Sequence, residues 1–191
     1  MKTALVFGVN GQDGSYLAEF LLEKEYQVVG WIPKDVPVSL DNLDTFKEQI
    51  TLVKGSLLDQ QGLNELIAHT QPDEIYNLAS PSSPSASWED VIYKNDVTAL
   101  GTGRLLEGIR NHCPGAKFYQ SSSSEMFGKA LVSPQNEETP FKPRNPYGSA
   151  KLHAYWLTNN YREGFGLFAT SGIMYNHESP RRGIQYVTRK I

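Results

Sequence analysis

Ala4-Leu5-Val6-Phe7-Gly8-Val9-Asn10-Gly11-Gln12-Asp13-Gly14 is the stretch that decides the fold. An apolar run of strand length closes in three glycines spaced G-x-x-G-x-x-G. Tyr16, Leu17, Phe20 and Leu21 then follow at helical spacing. The pattern reads as strand, tight turn and helix. Glycines here allow the turn, let a backbone approach a pyrophosphate, and let the helix pack close to the strand. The helix N-terminus adds N–H groups and the positive end of its dipole. Gly8, Asn10, Gly11, Gln12, Asp13 and Gly14 are therefore candidate dinucleotide contacts.

Working outward, the same alternation continues. Val28 to Ile32 forms a second strand ended by Pro33, and Ile50 to Val53 a third. A helix is expected at 60–69, a strand from Glu74 to Ala79, a helix at 96–112 and a strand from Ala116 to Ser121. A helix from Pro146 to Tyr161 and a strand from Leu167 to Ile173 complete the series. Strands separated by helices require crossovers, and crossovers imply parallel pairing with both sheet faces covered. The fold class is a doubly wound parallel α/β sheet of Rossmann type, with residues 1–191 forming one dinucleotide-binding domain. Ser80 to Ser87 follows a buried-type strand, where open α/β sheets bind ligands, and is read as a binding loop. Ser133 to Pro146, with four prolines and no apolar period, is read as an irregular connection.

Composition narrows the partners. The 191 residues carry 18 basic and 21 acidic side chains, a formal charge of −3, which offers no overall field for nucleic acid or an anionic membrane. One cysteine, Cys113, cannot form an internal disulfide, and no apolar leader or spanning run precedes the glycine turn. A cytoplasmic location is expected. Four histidines and one cysteine show no metal-ligand spacing, so no metal is expected.

Two further places carry chemistry. After the second strand an acid would bind the adenosine ribose hydroxyls, whereas a base would pair with a 2′-phosphate. Lys34 and Asp35 stand there side by side; Lys34 tips the expectation to NADP, with NAD as the other choice. Tyr147 and Lys151, four apart at a helix start, share one face. An ammonium beside a phenol lowers the phenol pKa toward neutrality and makes it a general base or acid for an alcohol undergoing hydride transfer. The serines of Ser121 to Glu125 lie just upstream, at the carboxyl end of a strand.

The glycine turn, a serine after the fifth strand and the Tyr-x-x-x-Lys helix together resemble the extended short-chain dehydrogenase/reductases. Longer strings narrow the likeness. Gly11–Lys24, Phe118–Lys129, Pro146–Trp156 and above all Asn176–Gly183 with Val187–Ile191 resemble the GDP-mannose 4,6-dehydratase family.

The resemblance implies a catalytic set of Ser123, Glu125, Tyr147 and Lys151. It adds Ser56, Leu57, Leu78, Ala79, Ser80, Ser82, Tyr93, Tyr147, Lys151, His177 and Arg182 as cofactor positions. Ser82, Ser123, Glu125 and Asn176 are implied as substrate positions. In the implied mechanism Tyr147 takes the proton of a sugar 4-hydroxyl as hydride leaves C4, with Ser123 bonded to that oxygen. Glu125 then removes the C5 proton and protonates the departing 6-hydroxyl, and the hydride returns to C6, so the cofactor ends as it began. The implied substrate is a GDP-linked sugar and the implied assembly a homo-oligomer, with the substrate region largely beyond Ile191. Three stretches depart from the family. Pro33 and Lys34 replace two arginines, Ser56 replaces an aspartate, and Ser80-Pro81-Ser82-Ser83 replaces Ala-Gln-Ser-His. An epimerase or reductase of the superfamily would share Tyr147 and Lys151 without needing Glu125. A non-catalytic dinucleotide-binding module would need neither.

Overall fold

Alternate residues of the first strand feed two separate cores. In the computed structural model, which describes residues 1–81 and 88–191, β1 spans Thr3–Phe7. Successive side chains of a strand point to opposite faces. Leu5 and Phe7 accordingly join Trp31, Ile75, Leu105, Ile109 and Phe118 on one side. Ala4 and Val6 join Ala18, Leu21, Ile32 and Phe46 on the other. Both faces of the sheet are thus covered, as the apolar runs require.

The strands are β1, β2 (Gln27–Pro33), β3 (Thr51–Gly55), β4 (Glu74–Asn77), β5 (Lys117–Ser123) and β6 (Ala169–Met174), all paired in parallel in the order β3-β2-β1-β4-β5-β6. The helices are α1 (Gln12–Glu23), α2 (Gln60–Thr70), α3 (Val91–Asn95), α4 (Gly101–His112) and α5 (Pro146–Phe165). The order reverses between β1 and β4, so the chain leaves the sheet in opposite directions from these neighbours and opens a crevice at their carboxyl ends.

Element types agree with the reading of the sequence, and the differences lie at the ends. The fourth strand stops at Asn77, which frees Leu78 and Ala79 to turn into the crevice. The fifth runs on to Ser123, carried by its pairing with β6 as far as Ser123↔Met174. The helix expected from residue 96 begins at Val91 and passes through one wide π turn, Asp96–Leu100, into α4. Val187–Arg189 is a single 3-10 turn. Residues 133–145 are irregular, as expected, and Pro146 opens α5. The binding loop expected at Ser80 to Ser87 lies mostly outside the described residues, Ser82 included. No helix among the described residues is long and apolar enough to cross a membrane.

Candidate active site

The glycine turn is built by close approach. Gly8 has φ +78°, and a Cβ there would lie 2.9 Å from the Ala79 nitrogen on the neighbouring strand end. A Cβ on Gly14 would stand 2.2 Å from the Gly8 carbonyl oxygen. Larger residues are excluded at both positions, because real contacts of this kind do not fall below about 3 Å. Gly11 N–H donates to Gly8 O at 3.0 Å, and Gly11 caps α1 without a side-chain bond to the first-turn N–H groups. The cradle fits a pyrophosphate on its own geometry. It has backbone donors at a helix start and no Cβ at Gly8, Gly11 or Gly14 to block them.

That turn is one wall of a cleft of about 760 Å³, large enough for a dinucleotide's reactive half and within the usual range for ligand sites. Every expected residue of the turn lines it, as do Leu57, Leu78, Ala79, Ser80, Tyr93, Asn176, His177 and Arg182. Ser123, Glu125, Tyr147 and Lys151 line the same cleft. Lys34 and Ser56 do not. The Lys34 ammonium lies 3.5 Å from Asp59, and the Ser56 hydroxyl accepts from the Leu58 N–H at 3.2 Å. A cation expected at the ribose is instead spent on the cap residue of α2.

The chemical groups converge because α5 starts against the end of β5. Asn145 caps α5, its Oδ1 accepting from Gly148 N–H at 2.7 Å, and Pro146 occupies the first turn, where its missing N–H costs nothing. A Cβ on Gly148 would lie 2.6 Å from the Glu125 carbonyl oxygen, so glycine lets the helix start sit against the turn at Ser124–Met126. Ser123 Oγ accepts from Glu125 N–H at 3.2 Å. The other end of the Asn145 amide donates to Glu125 Oε2 at 2.8 Å. Asn145 therefore holds both the helix that carries Tyr147 and the carboxylate, a role the sequence reading missed. The signal was present: an Asn before Pro at a helix start is a cap pattern.

Lys151 sits one turn into α5, fully buried, with its ammonium donating to Ser121 O at 2.7 Å and lying 5.7 Å from the centre of the Tyr147 ring. Burial lowers the lysine to about 8, opposed by Asp13. Burial also pushes the Tyr147 phenol up to about 12, with the Ser123 hydroxyl acting in the opposite direction. The expected lowering of the phenol by Lys151 alone does not occur among the protein's own groups. Desolvation of the phenolate outweighs an ammonium that is turned toward a backbone carbonyl.

A clasp closes the far wall. His177 Nε2 and Asp13 Oδ1 are 2.6 Å apart, while Nδ1 is 2.7 Å from Tyr175 O. Both ring nitrogens face acceptors, which favours the doubly protonated ring. The Asp13 carboxylate first and the Tyr175 carbonyl second raise the imidazole pKa. Gln12 Nε2 donates to His177 O at 3.2 Å, and Arg181 bridges to Glu19 at 2.7 Å while stacking on Tyr16. The segment after β6 is thereby tied across the glycine turn to α1. Sequence spacing alone does not join residue 13 to residue 177. Among the described residues no group of His, Cys, Asp or Glu side chains is arranged to hold a metal ion.

A family model described as GDP-mannose 4,6 dehydratase matches residues 5–191. The chain belongs to the GDP-mannose 4,6-dehydratase family. It is 48% identical to GDP-mannose 4,6-dehydratase of Yersinia enterocolitica over all of this chain and 54% of the relative. It is 49% identical to that of Vibrio cholerae, over 53% of the relative, and 45% identical to that of Homo sapiens, over 54%. The chain spans about half the length of the curated relatives it matches. Among solved structures, a UDP-glucuronic acid 4-epimerase from Bacillus cereus, in complex with UDP-glucuronic acid and NAD, has a TM-score of 0.87 at 23% identity. It covers 98% of this chain, which spans 60% of the epimerase. A dTDP-glucose 4,6-dehydratase from Streptomyces venezuelae gives 0.86 at 21%, with the same coverage. At that identity the likeness extends to the fold.

Proposed function

We propose that this chain is the dinucleotide-binding and catalytic half of a nucleotide-sugar 4,6-dehydratase, a lyase acting on GDP-mannose. The observation that carries the reading is Glu125, held at 2.8 Å by Asn145 in the cleft that also holds Tyr147 and Lys151. Oxidation of a sugar alcohol uses the tyrosine and lysine. Only elimination across C5 and C6 needs a further acid and base.

A nicotinamide dinucleotide, when bound, supplies the acceptor and later donor of hydride. The chain's own groups do the rest. Ser123 and Tyr147 bond the sugar 4-oxygen, and Tyr147 takes its proton. The buried Lys151 ammonium favours the resulting phenolate. The C4 carbonyl acidifies the C5 proton, which Glu125 Oε1 or Oε2 removes. The same carboxyl then gives its proton to the 6-oxygen as the C6–O bond breaks and water leaves. C6 takes up the hydride that left C4, C5 takes a proton from solvent, and Tyr147 releases the 4-hydroxyl proton to solvent, so the balance closes with a solvent hydrogen at C5. The family relatives' printed names supply GDP-mannose as the substrate. Exposed apolar side chains on adjoining elements, Ile92, Leu100 and Trp156, support assembly as a homo-oligomer.

The test is deuterium uptake at C5 from heavy water, measured in protein that includes the substrate-binding half. Glu125→Gln is expected to keep oxidation at C4 and to lose C5 exchange and water loss by about a hundredfold or more. Dehydration at the normal rate in that variant would remove Glu125 from the mechanism and leave the epimerase or reductase reading.

A further inference from the structure

The two charges that follow β2 point to different places. Phe7 pairs with Trp31, and Gly8 N–H donates to Trp31 O at 3.0 Å, so the end of β2 lies beside the glycine turn. In a doubly wound sheet the adenosine ribose is recognised there, roughly 20 residues past the glycines. Lys34 N–H donates to Gly55 O at 2.7 Å, which pins the backbone to β3, and its ammonium faces Asp59 outside the cleft. Asp35, the next residue, lines the cleft and is exposed to it. Tyr93 lines the cleft opposite, and its phenol is raised by burial first and by the Asp35 carboxylate second.

We propose that Asp35 makes this chain select NAD(H) over NADP(H), its carboxylate accepting hydrogen bonds from the free adenosine ribose hydroxyls. The inference rests on the dinucleotide reading of the cleft and reverses the expectation drawn from Lys34. A carboxylate is an acceptor only, and a ribose diol offers it two donors. A 2′-phosphate removes one donor and sets about two negative charges against a fixed one. Asp90 adds a second carboxylate to the cleft wall, and Lys94 is the cation on the same stretch. Of these three cleft residues two are acids and one is a base. Ser56 does not compensate, since its hydroxyl is turned into its own loop.

The test is titration of NADH and NADPH against this chain, followed by nicotinamide fluorescence, with Asp35→Ser and Lys94→Gln as variants. The account expects NADH to bind about tenfold tighter or better. In Asp35→Ser that ratio should fall to within about threefold, through weaker NADH and tighter NADPH. Equal or tighter binding of NADPH by the unaltered chain would overturn the inference, as would an unchanged ratio in Asp35→Ser. An NADPH preference that disappears in Lys94→Gln would overturn it in favour of Lys94 as a phosphate ligand. Binding of neither nucleotide would overturn the dinucleotide reading itself, which separates the two failures.

Discussion

The glycine turn after β1 and the helix start that carries Tyr147 sit in one cleft and obey opposite energetics. At the turn, the proposed binding rests on missing atoms. The backbone approaches that make room for a ligand also let α1 and β4 pack, so binding and stability rise together. At the helix start, the proposed function rests on a buried ammonium and a half-buried phenol. Desolvation of those groups opposes folding, and binding energy or neighbouring hydrogen bonds must offset it. A change at the first place should damage both properties. A change at the second should trade one for the other.

Gly14→Val should have the largest effect. Its Cβ would meet the Gly8 carbonyl oxygen at 2.2 Å, with more backbone at 2.8 and 2.9 Å. The expected outcome in urea unfolding is a loss of about 3 kcal/mol or more, together with loss of dinucleotide binding. Retained stability with lost binding would break the claim that the two are joined at the turn.

Lys151→Met should act the other way. Burial holds the lysine at about 8, below its ordinary 10.5, so the folded state sheds the proton first. That contribution to stability is full above pH 10.5, shrinks as pH falls, and is gone below about 8. Between pH 8 and 9 the unaltered chain should gain about 1 kcal/mol relative to Lys151→Met, which lacks the titrating group. At pH 7 the variant should be as stable or about 1 kcal/mol more stable, and without alcohol-oxidising activity. Parallel pH profiles for the two proteins would show that Lys151 is not held in a desolvated site.

Asn145 gives the smallest effect and the finest division. Asn145→Ala removes the cap of α5 and should cost about 1 kcal/mol in thermal or urea unfolding. Asn145→Ser keeps a capping oxygen and should recover most of that loss. Alanine has no donor and the shorter serine side chain lacks the amide N–H that reaches Glu125, so both should slow C5 exchange while C4 oxidation holds. If the serine variant restored exchange as well as stability, the contact at 2.8 Å would be a cap alone.

The same contrast explains what the sequence could disclose. The glycine turn was legible because its demand falls on the backbone: a residue lacking a Cβ is required at 8 and 14, and spacing alone reports it. The parallel α/β class followed from alternation of apolar runs with helical periods. Tyr147 and Lys151 were legible as a pair because one helical turn separates them. Lys34 and Asp35 were not separable, since the direction of two adjacent exposed side chains depends on Asp59, which is 24 positions past Asp35 and reaches Lys34 only in the folded chain. The clasp from Asp13 to His177 is likewise a product of the fold. The pKa of Tyr147 depends on burial set by β5, β6 and the segment after them, which no spacing rule contains.

The central claim is that a dinucleotide lies over Gly11–Gly14 with its reactive end toward Tyr147. Backbone amide chemical shifts of this chain, followed by NMR during titration with NADH, test it most directly. The account predicts that the Gly11, Gln12, Asp13 and Gly14 amides shift the most, with Ser123 and Tyr147 following and the β3 edge unmoved. Saturable binding that leaves the four turn amides in place and shifts another region would contradict it.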